Sequence, residues 1–331
     1  METVLVIGAT GQLGYAITEK LAKQNRYKVR AMYREGSDTS ALEELNGVEL
    51  CKGDLLDAES LAKALEQVDV VIATANPVVP TRKTDNFKTS VEGYRNLIQK
   101  CNEAHIKQFI YTSGISFGPY SSGVGLSVAK SQIEDMLTQS GLNYTILIAA
   151  AFMDIHLAFM GSDLPLRGTK VSSLNRKWKF MNNFYDGVKH SIEKKSVFLI
   201  TGKGDQPTSY ICVEDVAEFH VNAIGNPLAE NKKITIGGPE ALTTMDVKTI
   251  FEEIYQKPLK VKSTPAFVLK GISSVMVLFD PVAANILQMQ YAASKVSGAV
   301  ENTQEIASKF GVQLSSVKEY LNQKFNIGRV K

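Results

Sequence analysis

The residues whose types and spacing most clearly predict chemistry form a glycine-rich turn near the start of the chain. They are Gly8, Ala9, Thr10, Gly11, Gln12, Leu13 and Gly14. An apolar run, Thr3 to Ile7, precedes the turn, and a helical pattern follows it. A dinucleotide pyrophosphate needs this order, because one glycine allows the tight turn, one lets backbone approach phosphate and one lets helix pack against strand. We therefore predict that all of these turn residues except Ala9 contact a dinucleotide, the alternative being a structural turn without a ligand.

The residue after the second predicted strand bears on which dinucleotide binds. That strand, Lys28 to Tyr33, is followed by Arg34, and Arg30 lies nearby. A guanidinium suits the 2′-phosphate of NADP(H), whereas an acidic residue would accept hydrogen bonds from the free 2′-hydroxyl of NAD(H). We predict NADP(H). Because Glu35 comes next, NAD(H) is the alternative, and Arg34 could also be an exposed surface residue.

Strand and helix patterns alternate through the first half of the chain. Further strands are predicted at Val48 to Cys51, Val68 to Ala73, Gln108 to Thr112 and Tyr144 to Ile148. Strands that alternate with helices require a parallel sheet covered on both faces, and ligands bind beyond the carboxyl ends of its strands. The predicted fold class is therefore α/β, with a Rossmann-type doubly wound parallel sheet.

The alternation ends near residue 150, which divides the chain into two parts. Residues 1–150 are predicted to form the dinucleotide-binding domain. Residues 151–331 are predicted to form a smaller C-terminal α+β lobe on the substrate side, folded back onto the sheet. A chain of 331 residues suits this division.

Cysteine usage and the first strand predict the compartment. The three cysteines, Cys51, Cys101 and Cys212, are far apart and form no CxxC pair. We therefore expect neither a disulfide framework nor a metal site. Because the first strand begins at Thr3, we expect no signal peptide and a cytoplasmic protein with reduced thiols.

Positive charge is concentrated in one stretch, although the net charge of the chain is only +3. Between Arg167 and Lys195 there are eight cations and two anions. One interpretation is a solvated loop and helix, and the other is a field that attracts an anionic substrate or surface. Because this one cluster, which includes Arg176-Lys-Trp178-Lys, comes without a recognition motif, we do not expect nucleic-acid binding.

The longest apolar region, Ala266 to Leu287, is interrupted by Lys270, Asp280 and Pro281. A spanning helix needs about eighteen or more apolar residues in succession, so we predict no transmembrane segment. Packing in the core or in a homodimer interface is the expected role of this region. A membrane-surface helix is the alternative.

Motifs along nearly the whole chain resemble those of extended and atypical short-chain dehydrogenases/reductases. They are the glycine turn, Gly53-Asp54 and Gln108-Phe-Ile-Tyr-Thr-Ser113. Others resemble the NmrA-like branch, namely Lys130-x-x-x-Glu134-x-x-Leu137, Tyr210-Ile-x-Val-Glu214-Asp215-Val-Ala217 and Ile236-Gly-Gly-Pro239. The end of the chain, Leu314 to Phe325, is similar to that of photosystem-assembly members and of the related complex I accessory subunit. The resemblance implies an extended Rossmann fold and a nicotinamide cofactor, and leaves the substrate open.

The resemblance also assigns roles to residues at the ends of the third and fourth strands. It implies that the Asp54 carboxylate accepts a hydrogen bond from the adenine amino group and that Leu55 packs on the ring. An N-cap carboxylate in a turn is the alternative for Asp54. Thr74 and Ala75 follow the fourth strand, where small residues let the backbone approach the cofactor ribose or simply form a turn.

Catalysis is predicted to depend on Lys130 and Ser113. The Lys130 ammonium would bond the ribose hydroxyls and assist a proton donor, although an ion pair with Glu134 on a solvated helix face is the alternative. Ser113 could bond a substrate carbonyl. Enzymes of the wider family have a Tyr four residues before this Lys, whereas this chain has Leu126. The usual phenolic proton donor is therefore missing.

Two functions follow from these residues. The leading prediction is an NADP(H)-dependent oxidoreductase that transfers hydride to or from a small organic substrate, for which the basic stretch would suit an anion. The alternative is a non-enzymatic sensor or assembly factor whose affinity for a protein partner responds to the dinucleotide. The retained Lys130 favours the enzyme, and the missing Tyr favours the sensor.

Overall fold

A computed structural model describes residues 1–76, 85–175 and 178–327, without the side chains of 175 and 179–181. Two cations of the basic stretch, Arg176 and Lys177, and the side chain of Lys179 therefore lie outside the described residues.

Seven strands of the described chain form one parallel sheet in the order β3-β2-β1-β4-β5-β6-β8. They are β1 (Thr3–Ile7), β2 (Lys28–Tyr33), β3 (Val48–Lys52), β4 (Val70–Ala73), β5 (Gln108–Gly114), β6 (Tyr144–Ala149) and β8 (Lys232–Ile236). Ile7 at the end of β1 is in register with Met32 of β2 and Ala73 of β4. The strand order reverses between β1 and β4, which confirms the predicted doubly wound sheet and puts its ligand crevice there.

Helices cover both faces of the sheet. Those of the first part are α1 (Gln12–Gln24), α2 (Ser40–Glu43), α3 (Ala58–Ala64), α4 (Phe87–Glu103) and α5 (Gly125–Thr138). Because successive strand residues face opposite sides, Val4 of β1 packs with α1, and Leu5 packs with α3, α4 and α5. The strand register thereby builds two separate apolar layers from one short sequence.

The remaining elements build a second core and return to the sheet. They are α6 (Met153–Ala158), α7 (Lys179–Val188), α8 (Ser191–Lys195), β7 (Val197–Thr201), α9 (Val213–Asn222), α10 (Thr244–Tyr255), β9 (Lys260–Thr264), α11 (Ala266–Met276), α12 (Pro281–Ala293), α13 (Thr303–Phe310) and α14 (Val317–Ile327). β7 pairs in parallel with β9 over a core that includes Phe198 and Phe251. α9 packs against α1, and α11 packs against α12 as a hairpin. Residue 150 lies directly after β6, and the later elements β8 and α9 belong to the layers of the main sheet.

Within the described ranges, no helix combines the length and the apolar character needed to cross a membrane.

Candidate functional site

The glycine turn joins β1 to α1 at the reversal of strand order. Gly8 has a φ of +85°, and a Cβ there would lie 2.8 Å from both the Ala75 nitrogen and Thr74 Oγ1. Only glycine fits this position without strain. Its missing side chain lets the ends of β1 and β4 approach each other. The turn is therefore built for close backbone packing at the crevice.

The first turn of α1 offers unpaired donors to this crevice. Gly11 is the N-cap and has no side chain to cap the helix, and the first helical hydrogen bond runs from the Tyr15 N–H to the Gly11 carbonyl. A Cβ on Gly14 would lie 2.1 Å from the Gly8 oxygen, so glycine is required for the helix to start so close to the turn. The N–H groups between Gly11 and Tyr15 are left for a ligand, and the helix dipole favours an anion there.

A cavity of about 970 Å³ extends from this turn to the α11–α12 hairpin. Every candidate residue from the sequence lines it, namely Gly8, Thr10, Gly11, Gln12, Leu13, Gly14, Arg34, Asp54, Leu55, Thr74, Ala75, Ser113 and Lys130. Its volume is at the upper end of the roughly 300–1,000 Å³ of small-molecule sites. The structure thus places both sets of predicted residues, for cofactor and for catalysis, around one space.

The turn end of the cavity fits a pyrophosphate. Gln12 is buried beside the free N–H groups, and its Oε1 accepts a hydrogen bond from the Ser173 N–H at 3.4 Å. Its Nε2 is buried with no acceptor among the described residues. A buried amide donor without a partner is costly, and a phosphate oxygen would satisfy it.

Arg34 lines the cavity, but an acidic side chain of the protein itself binds its guanidinium. Nη1 and Nη2 donate to the two carboxylate oxygens of Asp85 at 2.8 and 2.9 Å. These bonds raise the pKa of Arg34 above its usual value. Arg30 lies away from the cavity, where it donates to Glu49 and to the carbonyls of residues 64 and 66. The guanidinium fork predicted to bind a 2′-phosphate therefore binds a carboxylate in this structure.

Asp54 and Leu55 lie at the adenine end that the resemblance implies. Asp54 Oδ1 accepts the Leu56 N–H at 3.1 Å, a local turn. It is not the N-cap of α3, because Asp57 accepts the N–H groups of the first turn of that helix. The N-cap alternative for Asp54 was therefore wrong, and a contact of Asp54 with adenine stays a prediction.

Lys130 is half-buried and presents its ammonium to the cavity. Nζ donates to the Thr112 carbonyl at 3.1 Å and lies 5.9 Å from the centre of the Tyr111 ring. Removal from water lowers the pKa of Lys130 to about 8. The alternative of an ion pair with Glu134 was wrong, because Glu134 Oε2 instead pairs with Lys233 at 2.9 Å and no carboxylate of the described chain lies within 4.0 Å of Lys130. This ammonium thus combines burial with access to a ligand.

Ser113 is placed beside Lys130 at the end of β5. It is buried, and its hydroxyl donates to Glu134 Oε1 at 2.5 Å. Because a hydroxyl carries one proton, Ser113 offers only lone pairs to the cavity in this arrangement. A direct role for Ser113 as proton donor would require Glu134 to release it.

Leu126 occupies the position of the usual family tyrosine. It lines the cavity from the first turn of α5 and is almost fully buried. Its backbone N–H donates to Asn285 Oδ1 of α12 at 3.1 Å. The position thus carries no phenol, and the helix turn that bears it is held by the second lobe.

A buried histidine supports Lys130 from behind the sheet. His220 Nδ1 donates to the Val216 carbonyl at 2.7 Å, because a carbonyl can only accept. Nε2 therefore accepts the Thr112 hydroxyl, also at 2.7 Å. Thr112 in turn receives Lys130 on its carbonyl. Burial lowers the pKa of His220 to about 4. The neutral imidazole fixes the strand end that positions the ammonium.

The second lobe supplies further residues to the cavity lining. His156 lines the cavity, its exposed surface faces that space, and its Nδ1 lies 3.1 Å from the Phe152 carbonyl. Partial removal from water in the cavity wall lowers the pKa of His156. As the only histidine near the expected substrate side, His156 was a weak acid–base candidate from the sequence, whereas no sequence pattern predicted the position of Asp85. The other apolar lining residues include Ile155, Phe159, Met160, Leu269, Ile272, Ile286 and Met289.

The described cations of the basic stretch lie outside the cavity. Lys170 pairs with Glu44 and Lys189 with Asp186. Arg167 lies 3.5 Å from the Asp163 carboxylate. Among the described residues, the cations that line the cavity are instead Arg34, Lys130 and Lys262.

One group of potential metal ligands was not predicted. Asp163, His190 and Glu193 bring one ligand atom each to within 4.8 Å of one another. Arg167 already supplies a cation to this group, and Glu193 Oε1 accepts the Tyr255 hydroxyl. These contacts give it the character of a surface charge network.

Comparison with known proteins gives consistent results. The model of the NmrA-like family matches residues 1–324. Photosystem II assembly factor Ycf39 of Synechocystis is 25% identical over 99% of this chain and 91% of its own length. Isoflavone reductase homolog A622 of Nicotiana tabacum is 26% identical over 78% and 75%. The NADPH-dependent quinone oxidoreductase QOR2 of Escherichia coli, crystallised with NADPH, superposes with a TM-score of 0.71 at 21% identity, covering 98% of this chain and 100% of that one.

Proposed function

We propose that this chain, which belongs to the NmrA-like family, is an NADP(H)-dependent reductase of a small, largely apolar organic molecule. The single observation that carries the proposal is the half-buried Lys130 ammonium, with its pKa lowered to about 8, in the same cavity as the glycine turn. A cofactor whose pyrophosphate lies on the turn can extend along the strand ends towards Lys130. The cited relatives include a protein named as a reductase homolog and one named as an NADPH-dependent oxidoreductase.

In this scheme the chain's own residues orient the cofactor and protonate the substrate. The cofactor, when bound, supplies the hydride. The N–H groups of the glycine turn and Gln12 Nε2 hold the pyrophosphate. Lys130 holds the nicotinamide ribose, and His220 and Thr112 fix its position.

The proton source is the main difference from the wider family. With Leu126 in place of the phenol, the group of suitable pKa facing the cavity is Lys130 itself, at about 8. A general acid works best when its pKa lies near the operating pH. We infer that Lys130 donates the proton that completes reduction of a carbonyl or enone oxygen and regains it from water.

The second lobe indicates the class of substrate. The cavity beyond Lys130 is lined by aromatic, branched and thioether side chains of α6, α11 and α12, including Phe159, Met160 and Met289. Such a lining favours an apolar, ring-containing compound over a highly charged one. Lys262 at the edge could bond one peripheral anionic or polar group.

A second candidate is supported by a specific observation. Leu126 stands in place of the usual tyrosine proton donor. Relatives similar over most of this chain are named as photosystem II assembly factors. In that case the dinucleotide would change the affinity for a protein partner without being consumed. Such a change requires different affinities of the dinucleotide for the two states.

The experiment that separates the two measures NADPH oxidation with a panel of quinones, enones, aldehydes and ketones. For a reductase, Lys130→Met should lower turnover by roughly 10²–10⁴-fold with a smaller change in NADPH affinity. Activity should also fall as the pH rises through about 8, where Lys130 loses its proton. Lys130→Arg should not restore turnover, because a guanidinium keeps its proton.

The control is Gly11→Val, whose backbone φ of −88° accepts a side chain while the valine fills the pyrophosphate space. It should lose the rise in melting temperature that NADPH gives the wild type. Oxidation no faster than the buffer rate with every compound, alongside normal NADPH binding, would contradict the reductase and favour the sensor. If Lys130→Arg restored turnover, Lys130 would act only as a positive charge and not as the proton donor.

A further inference from the structure

The α11–α12 hairpin carries an unusual outer surface. Helix α11 buries Ala266, Leu269 and Ser273 against the protein. Its opposite side is also apolar, with Phe267 at 74%, Leu278 at 79% and Phe279 at 78% exposure. A helix that is apolar on all sides is ordinarily buried by another structure. Large exposed apolar side chains gathered in one place are typical of an interaction surface.

Five exposed residues of this segment share one face. At 100° per residue, Phe267, Gly271, Val275, Leu278 and Phe279 fall within an arc of about 120°. Hydrogen bonds from the N–H groups of Leu278 and Phe279 to the preceding turn continue the helical path past Met276. The face extends about 18 Å along the axis, at 1.5 Å per residue. We call these five residues the apolar face of α11.

The hairpin and the strand before it carry a net positive charge. Residues 260–296 contain Lys260, Lys262, Lys270 and Lys295 but one acidic residue, Asp280, which gives them a net charge of +3. That equals the net charge of the whole chain, so the other residues sum to zero. Nζ of Lys270 and of Lys295 lie 5.6 and 5.9 Å from the centre of one ring, that of Tyr291. Two cations are thus held together beside the apolar face.

We propose that the apolar face of α11 docks on the surface of an anionic lipid bilayer, with the helix axis in the membrane plane. Exposed Phe and Leu side chains enter the boundary between headgroups and acyl chains, and lysines bind the anionic headgroups. A second copy of the chain suits the surface less well, because a two-fold contact places the same positively charged patch against itself. The Leu278 and Phe279 side chains are also largely exposed, so they are free to insert into a bilayer.

The position of the hairpin links this surface to the cavity. Leu269 and Ile272 of α11 line the cavity, and Ile272 is also partly exposed on the outer side. Docking would bring the apolar end of the cavity next to the acyl chains. If the proposed reductase function holds, its substrates include compounds dissolved in the membrane. The docking itself does not rest on that function.

Co-sedimentation with vesicles tests the docking without any assay of activity. The full chain is mixed with vesicles of phosphatidylcholine alone or with an equal part of phosphatidylglycerol. We expect binding to the anionic vesicles that weakens as salt rises. Leu278→Ser with Phe279→Ser should lower the partition coefficient about tenfold or more, since two large apolar side chains no longer enter the bilayer. Lys270→Gln with Lys295→Gln should lower it on anionic vesicles only.

The matched control is Leu228→Ser, which removes an exposed leucine outside the hairpin and should bind as the wild type does. Circular dichroism of each variant checks that the fold is kept. Equal binding to neutral and anionic vesicles, or unchanged binding by the Leu278 and Phe279 double variant, would overturn the proposal. So would a protein that binds no vesicle and forms a dimer in solution that this double variant dissociates.

Discussion

Asp85 is the residue whose contact most affects the choice of cofactor. Its carboxylate holds both terminal nitrogens of Arg34, with 14% of the Asp85 side chain exposed. A 2′-phosphate would seek the same guanidinium fork and would meet a negative charge there. If Arg34 binds the 2′-phosphate as predicted, NADP(H) would have to compete with the Asp85 carboxylate, whereas NAD(H) would not.

Asp85→Asn should consequently strengthen NADPH binding, by about tenfold, and leave NADH binding nearly unchanged. Arg34→Ala should weaken NADPH binding by about 1.5–3 kcal/mol, the contribution of a charge-assisted hydrogen bond. Fluorescence titration of each variant with both nucleotides gives the four affinities. Glu49→Gln, which alters the Arg30 pair outside the cavity, is the control. Equal changes for NADPH and NADH in either variant would remove Arg34 from the phosphate site.

At this scale the sequence indicated where glycine is needed, but not the partners of the charged residues. Spacing alone fixed Gly8 and Gly14, because their missing side chains are needed by nearby backbone. The partners of Arg34 and Lys130 come from segments distant in the chain, and no local pattern encodes them. Only the fold shows that the Lys130 ammonium donates to the Thr112 carbonyl and that the Asp85 carboxylate binds Arg34.

At the scale of elements, α9 and β5 meet through a buried polar contact. His220 of α9 accepts a hydrogen bond from the Thr112 hydroxyl on β5, and no part of the His220 side chain reaches solvent. The imidazole must stay neutral there, because a charged form would lack water and an anion. Its folded-state pKa of about 4 lies below the ordinary value of about 6.5.

This depressed pKa gives stability that is fully present above about pH 6.5 and is lost as pH falls through about 4. The loss should reach about 3 kcal/mol, since each pKa unit corresponds to about 1.4 kcal/mol. Urea unfolding between pH 4 and 7 measures it. His220→Gln should give a flatter pH dependence than the wild type, and exposed His105→Asn should not. An unchanged slope in His220→Gln would show that His220 does not stay neutral.

Strands were predictable from the local sequence, whereas the start of α5 depends on a distant contact. The predicted β2 matches the observed Lys28–Tyr33, and β5 extends two residues beyond Thr112. Buried parallel strands are continuous apolar runs, which a sequence shows directly. The start of α5 at Gly125 instead depends on a distant helix, because Asn285 of α12 accepts the N–H of Leu126 in the first turn.

At the scale of the whole molecule, that contact holds the two parts together. α5 has no side-chain cap of its own, and the buried Asn285 of α12 accepts the Leu126 N–H. Asn285→Ala should lower the free energy of unfolding by about 1–3 kcal/mol, because a buried N–H is left without an acceptor. Asn285→Asp keeps an acceptor near the positive end of the helix and should retain most of the stability. Urea midpoints of the three proteins check this, and equal losses in both variants would assign the effect to packing.

The seventh strand of the sheet carries a consequence for synthesis of the protein. β6 ends at Ala149, and its outer neighbour β8 begins only at Lys232. At the roughly 5–20 residues per second of translation, the nascent chain leaves the edge of β6 without a partner for about 4–17 s. An exposed edge of Tyr-Thr-Ile-Leu-Ile-Ala can pair with another chain during that interval. During synthesis the outer edge of β6 is therefore open to pairing with other chains. Slow translation of the segment between β6 and β8, or a chaperone that covers this edge, would change the yield of folded protein.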